Sequence, residues 1–131
     1  MRVAIKPGKP STFAIRERRL IFGLPGNPVS VFMTFHVFVA RALRAMMGCS
    51  PPGLRTVRMQ LAESFRRRDG ERREYVPARL DERSELRRLE FHGSGHLTAL
   101  SDTDGFFVVE RGVLELEPGT AVDWLALAPY G

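Results

Sequence analysis

Gly23-Leu24-Pro25-Gly26-Asn27-Pro28-Val29-Ser30 is the stretch on which the fold turns, with Leu20-Ile21-Phe22 ahead of it and a long apolar run behind it. It reads as a strand, a tight loop and a helix start in succession. Asn27 is a favoured N-cap. Pro28 takes the first helical position, where its missing N–H costs nothing, and Ser30 can offer a hydroxyl to the first turn. First-turn N–H groups have no intrahelical acceptors and sit at the positive end of the macrodipole. A loop of this shape can therefore hold a phosphate, a carboxylate or another oxyanion. The same pattern also serves as plain punctuation that only redirects the chain.

Upstream, Lys6-Pro7-Gly8-Lys9-Pro10 carries the only two lysines among 20 basic residues. A compact, rotatable ammonium suits an oxyanion pocket where a planar guanidinium fork would not fit, so the pair joins the loop as a candidate anion site. A solvated pair on a loop is the plainer alternative.

Working outward, Val3-Ala4-Ile5 reads as a strand end, and Pro28 to about Met47 as one helix. Val31, Phe35, Phe38, Ala42 and Met46 make its apolar stripe, widened by Phe32, Val39 and Leu43. It is apolar nearly all round in its first half and so predicts burial against a sheet or an interface. His36, Arg41 and Arg44 interrupt it and argue against a membrane span; Gly48 is the natural residue beyond its end. Two strands and one helix cannot cover a sheet, so residues 1–48 read as the tail of a larger α/β domain. Ser50-Pro51-Pro52-Gly53 marks a linker, 49–54.

From residue 55 to 131 the period becomes twofold. Val57, Met59 and Leu61 alternate with polar residues; Asp69-Gly70 signals a hairpin into a strand from Glu74 to Leu80. Pro77 predicts an edge or a bulge there. Leu86–Phe91, Phe106–Val109 and a last strand around Val122, Trp124 and Ala126 complete a small antiparallel barrel or sandwich. A short helical turn is expected across its end, in the stretch Gly93-Ser94-Gly95-His96-Leu97-Thr98-Ala99-Leu100.

The paired motifs resemble the C-terminal part of the molybdopterin molybdenumtransferase family, the MoeA and gephyrin E-domain type. Glu74-Tyr75, Gly93-Ser94-Gly95 and Asp104-Gly105-Phe106 follow in the order of that family's β-domain. The resemblance implies an α+β fold, in which the tail of a MogA-like α/β domain is followed by a small antiparallel β-barrel. It implies an enzyme that inserts molybdate into adenylylated molybdopterin, both anions, with Mg2+ assisting cleavage of the phosphoanhydride. Lys6, Lys9, Gly23, Pro25, Gly26, Asn27, Pro28 and Ser30 match its anion- and pterin-binding segment, and Ser94 its β-domain serine. Two departures stand out. Pro77 occupies the place of a family arginine that contributes to molybdate binding, with Arg79 two residues further on, and the family's magnesium carboxylates lie upstream of this chain. Catalytic and metal-binding residues are therefore expected to be none within it. The resemblance further implies the rest of its own enzyme as a partner, a homodimer, and a piece inactive by itself.

Composition agrees. Over 131 residues, 44% hydrophobic and 27% charged is ordinary for a globular protein. No run is expected to reach membrane length, no signal peptide is evident, and the expected location is cytoplasmic with no membrane partner. A single Cys49 excludes an internal disulfide. His36, His92 and His96 form no metal-binding spacing with it, and Asp69, Asp81, Asp102 and Asp104 fall in turns, where Asp serves the backbone. The net charge of +5 raises a nucleic-acid-binding barrel as an alternative. Arg66-Arg67-Arg68-Asp69-Gly70-Glu71-Arg72-Arg73, however, mixes in acids and lacks interleaved aromatics, so it reads as a solvated tip and no nucleic-acid partner is expected. A scaffolding module of the gephyrin type is the other alternative.

Overall fold

The computed structural model describes residues 5–8, 11–91 and 96–127. The fold is mixed α+β. In chain order it runs β1 Ile5–Lys6, β2 Thr12–Arg16, β3 Arg19–Gly23 and α1 Pro28–Thr34, then a π-helical turn Phe35–Val39 and α2 Ala40–Met46. There follow β4 Arg55–Gln60, β5 Phe65–Arg66, β6 Arg73–Leu80, β7 Leu86–Arg88, α3 His96–Ser101, β8 Gly105–Val109, β9 Glu115–Leu116 and β10 Ala121–Ala126.

One six-stranded sheet organises the chain, in the order β1-β6-β8-β10-β4, with β7 also paired to β6. Its central strand β8 is buried along its whole length because successive residues feed two different cores. Phe107 and Val109 join Val76, Ala78, Val122, Trp124, Leu61, Phe65 and Leu86 on one face. Phe106 and Val108 join Tyr75, Ile5 and Met33 on the other, where the long helix lies. Burying a Phe or Val side chain in this way stabilises the fold by about 1.5–3 kcal/mol each. The ladder is open between β4 and β7 apart from one parallel bridge, Leu61 to Leu86, backed by the Ala62 N–H donating to the Leu86 carbonyl at 2.9 Å.

Several expectations change in three dimensions. The first segment holds three strands instead of two, since β2 and β3 form a hairpin in register from Thr12–Gly23 to Arg16–Arg19. Its turn residues Glu17 and Arg18 both have positive φ, the conformation of a tight hairpin, with no Asn-Gly signal to announce it. Strand β1 pairs in parallel with β6, not with the hairpin. The helix is as long as expected, Pro28–Met46, and at 19 residues it does meet the length and apolarity needed to cross a membrane, contrary to the sequence expectation. Its buried face is set by Val29, Met33, Thr34, His36 and Val39, while Phe35 and Met46 of the expected stripe are 39% and 68% exposed. A segment apolar on all sides specifies no face, and the π turn, where the Ala40 N–H donates to the Phe35 carbonyl, shifts the phase midway.

Asp69-Gly70 makes no hairpin, because β5 pairs with distant β9 and β6 pairs with β8. The Asp69 carboxylate accepts the Glu71 N–H at 2.7 Å and the Gly70 carbonyl accepts the Gly112 N–H. Nor is the neighbouring arginine run all solvated. Arg67 is 3% exposed in its side chain. Its Nε donates to the Val113 carbonyl at 2.7 Å, one Nη to the Arg72 carbonyl at 2.8 Å and to Glu74 Oε2 at 3.3 Å, and the other Nη to the Glu110 carbonyl at 2.6 Å. It is an internal clamp. Pro77, finally, lies in a central strand opposite Phe106 and not at an edge. Strand alternation turns its missing N–H away from β8, to the side of β7, where its carbonyl accepts the Leu89 N–H at 3.0 Å.

Candidate functional site

The strand–loop–helix unit forms as its residues dictate. β3 ends at Gly23, Pro25 is buried, and Gly26, Asn27 and Pro28 form an exposed rim. Asn27 is the N-cap in extended conformation, its Oδ1 accepting the N–H groups of Val29 at 3.0 Å and Ser30 at 3.3 Å. The Val31 N–H goes to the Asn27 carbonyl at 2.9 Å. The amides expected to be open are thus satisfied by Asn27 itself, since an Asn cap supplies the acceptor that the first turn lacks. What the helix end still presents is its dipole field and the exposed rim.

The lysine segment is held against this unit at both ends. Ile5 is buried, and Lys6 is half-buried beside Glu74 in the β1–β6 register. Gly8 sits against the helix at Met33 and Thr34, with φ of +126°, and a Cβ there would come 3.1 Å from Thr34 Oγ1, so glycine is required. Ser11 donates its hydroxyl to the Gly8 carbonyl, and the next residue, Thr12, pairs with Gly23 at the loop entrance. Gly8 is therefore held on the helix, and Thr12 at the entrance of the Gly/Pro loop. Glu74 is engaged by Arg67, and among the described residues no carboxylate pairs with Lys6. Lys9 and Ser94 lie outside the described residues, although α3, which begins two residues after Ser94, packs on α1.

Sequence reasoning missed Thr34, which is wholly buried facing Gly8, its hydroxyl unpartnered among the described residues. The only available signal was a Gly placed between two lysines. The turn carboxylates serve the backbone: Asp81 Oδ1 accepts the Arg83 and Glu85 N–H groups at 2.9 and 3.0 Å, and Asp104 Oδ2 accepts the Leu80 N–H at 2.9 Å. The Glu85 and Arg83 amides, with Arg87 beside them, hold the Asp81 carboxyl below its usual range. Among the described residues no three His, Cys, Asp or Glu side chains converge as for a metal. Arg79 is exposed on the β6–β7 ladder, directly opposite Arg87. The arginine run is largely committed internally, with Arg66 to Glu115, Arg67 as above and Arg73 to Glu110.

The profile of the MoeA C-terminal region (domain IV) matches residues 58–127, from β4 to the end of β10. The chain belongs to the MoeA family. This MoeA-family chain is 32% identical over 117 residues to the molybdopterin molybdenumtransferase of Haemophilus influenzae, covering 84% of this chain and 28% of that one. A shorter match, 62% identical over 47 residues, covers 36% of the chain and 8% of the molybdenum cofactor synthesis protein cinnamon of Drosophila melanogaster. A crystal structure of a molybdopterin biosynthesis MoeA protein from Pyrococcus horikoshii superimposes with a TM-score of 0.76 at 27% identity, covering 95% of this chain and 31% of that one. The chain spans less than a third of the length of these relatives.

Proposed function

We propose that this chain is the C-terminal portion of a molybdopterin molybdenumtransferase, acting in molybdenum cofactor biosynthesis by helping to insert molybdate into adenylylated molybdopterin. The reading is carried by one observation: Gly8 rests on the helix at Met33 and Thr34 and Thr12 pairs with Gly23, in a chain whose relatives bear that name. Lys6, Lys9, the rim Gly23, Pro25, Gly26, Asn27, Pro28 with Ser30, and Ser94 form the anion- and pterin-binding surface. Ammonium groups and the helix dipole supply its positive potential.

Residues 1–48 belong to the α/β domain, 49–54 to the linker and 55–131 to a β-domain of the small-barrel type. The full enzyme is a cytoplasmic homodimer. Magnesium would neutralise charge on the phosphoanhydride. Residues upstream of those in this chain would hold it.

Two measurements test this. Molybdate and adenosine monophosphate should bind the 131-residue chain, with at least tenfold weakening in Lys6→Ala and Lys9→Ala. Given adenylylated molybdopterin, magnesium and molybdate, the chain alone should release no activated cofactor. Binding indifferent to both lysines, or turnover by the isolated chain, would overturn the assignment.

A further inference from the structure

Thr34 ends α1 with a side chain wholly withdrawn from solvent, at 0% exposure. Its hydroxyl has no hydrogen-bond partner among the described residues, and so does not take even the carbonyl one turn back that a helical Thr commonly uses. A buried hydroxyl left unpaired keeps its desolvation penalty, and Val, which has the same shape, would carry none. The fold therefore gains nothing from this oxygen where it stands.

What faces it is Gly8. A Cβ on Gly8 would come 3.1 Å from Thr34 Oγ1, and 3.4 Å from both the Ile5 and the Met33 side chains. Gly8 is itself buried, its carbonyl accepts the Ser11 hydroxyl, and among the described residues nothing accepts its N–H. An unused donor and an unused acceptor thus lie in one buried contact. With the carbonyl end of Gly8 held by Ser11, the part of the segment left free to turn is the Pro7–Gly8 peptide plane, through Pro7 ψ and Gly8 φ. That φ is +126°, in a region that glycine alone leaves and re-enters at little cost. Pro7 joins the same plane directly to Lys6, which is half-buried in β1.

We propose that Thr34 is a positioning residue for Lys6: with an oxyanion on the Lys6 ammonium, the Pro7–Gly8 plane turns and the Gly8 N–H donates to Thr34 Oγ1. The bond fixes the backbone that carries Lys6, and it forms where water is excluded and an amide–hydroxyl bond is electrostatically stronger than in solvent. An anion that draws the ammonium to one position and a hydroxyl that stabilises the backbone conformation behind it are coupled, so each strengthens the other. This rests on the proposed function, which places an oxyanion at Lys6.

The test reads hydrogen exchange at the Gly8 amide by NMR on the isotope-labelled chain, together with affinity and melting temperature. The probes are sodium molybdate and adenosine monophosphate, and whichever acts names the source of the oxyanion. In the parent, the bound probe should slow Gly8 exchange by about tenfold or more. Thr34→Val removes only the hydroxyl. It should bind the probe about threefold to tenfold more weakly and lose the slowing at Gly8, yet melt about 3 °C or more above the parent because the unpaired group is gone. Those opposite signs separate positioning from packing, since a packing role would leave affinity and Gly8 exchange unmoved by an isosteric change. Thr34→Ser, which keeps the hydroxyl, should restore both the affinity and the slowing, and Lys6→Ala should lose the slowing. Probe binding by a folded Thr34→Val as tight as the parent's, or an equal slowing at Gly8 in both, would overturn this proposal alone and leave the proposed function standing. No binding of either probe by the parent would overturn the proposed function and this proposal with it.

Discussion

Arg67→Met tests the clamp that joins three separate segments of the β-domain. One guanidinium serves the carbonyls of Arg72, Glu110 and Val113 and the Glu74 carboxylate, which is 15% exposed. The Glu110 contact is exposed, so water can replace it; the others are partly buried and cannot be resolvated fully. Removing one partner of a buried ion pair costs about 3–5 kcal/mol, because the remaining charge keeps its desolvation penalty. For a domain of this size each kcal/mol moves the melting temperature by roughly 3–6 °C, so Arg67→Met should lower Tm by roughly 10–25 °C. The assay is urea denaturation followed by Trp124 fluorescence, with calorimetry for Tm. Glu74→Gln added to Arg67→Met should recover about 1–2 kcal/mol by removing the stranded charge. Arg66→Met is the control. Its pair with Glu115 is 2.7 Å long but 76% and 45% exposed, and its loss should stay within about 0.5 kcal/mol. If Arg67→Met unfolds within about 1 kcal/mol of the parent, Arg67 is no clamp and the reasoning fails.

Three further outcomes are expected. Gly105→Ala would put a Cβ 2.3 Å from the Leu125 carbonyl and 2.7 Å from the Trp124 ring, so it should cost about 3 kcal/mol or more, whereas Gly26→Ala, with nothing within 4 Å, should cost far less; comparable denaturation midpoints would contradict this. Asn27→Ala removes the acceptor for two amides and should lower stability by about 1 kcal/mol in urea titrations, with Asn27→Asp close to the parent. The folded-state pKa of His36 is depressed by burial and Arg44, so the unfolded chain binds its proton more readily. The His36 contribution is fully present above pH about 6.5 and falls away as pH drops below that value. Melting at pH 7.5 and 5.5 should show the loss, and His36→Gln should reduce it; an identical slope in the variant would exclude His36 as its source.

Local chemistry made the helix start legible in the sequence. Asn27, Pro28 and the following apolar run state a cap and a helix through contacts within four residues, and the structure starts the helix at Pro28. Gly48, with its positive φ beyond the helix end, and the alternation of Val122 and Trp124 into the core are read the same way. Less could be read where the deciding partner is remote. Glu-Arg at the tip of β2–β3 carries no turn signal, and the register of that hairpin is set by pairing along its whole length.

The amino-acid order by itself therefore determined the helix start and the alternating strands of the second half, because caps and periodicity act over a few residues. Only the tertiary structure decided which helix face is covered, that Pro77 can sit mid-sheet with its missing N–H turned away from β8, and that Arg67 is buried while Arg66 beside it is not. Those outcomes depend on groups remote in sequence supplying a surface or an acceptor, as Glu110 and Val113, more than 40 residues away, do for Arg67. Burial and hydrogen-bond satisfaction belong to the assembled molecule, and no local pattern encodes them.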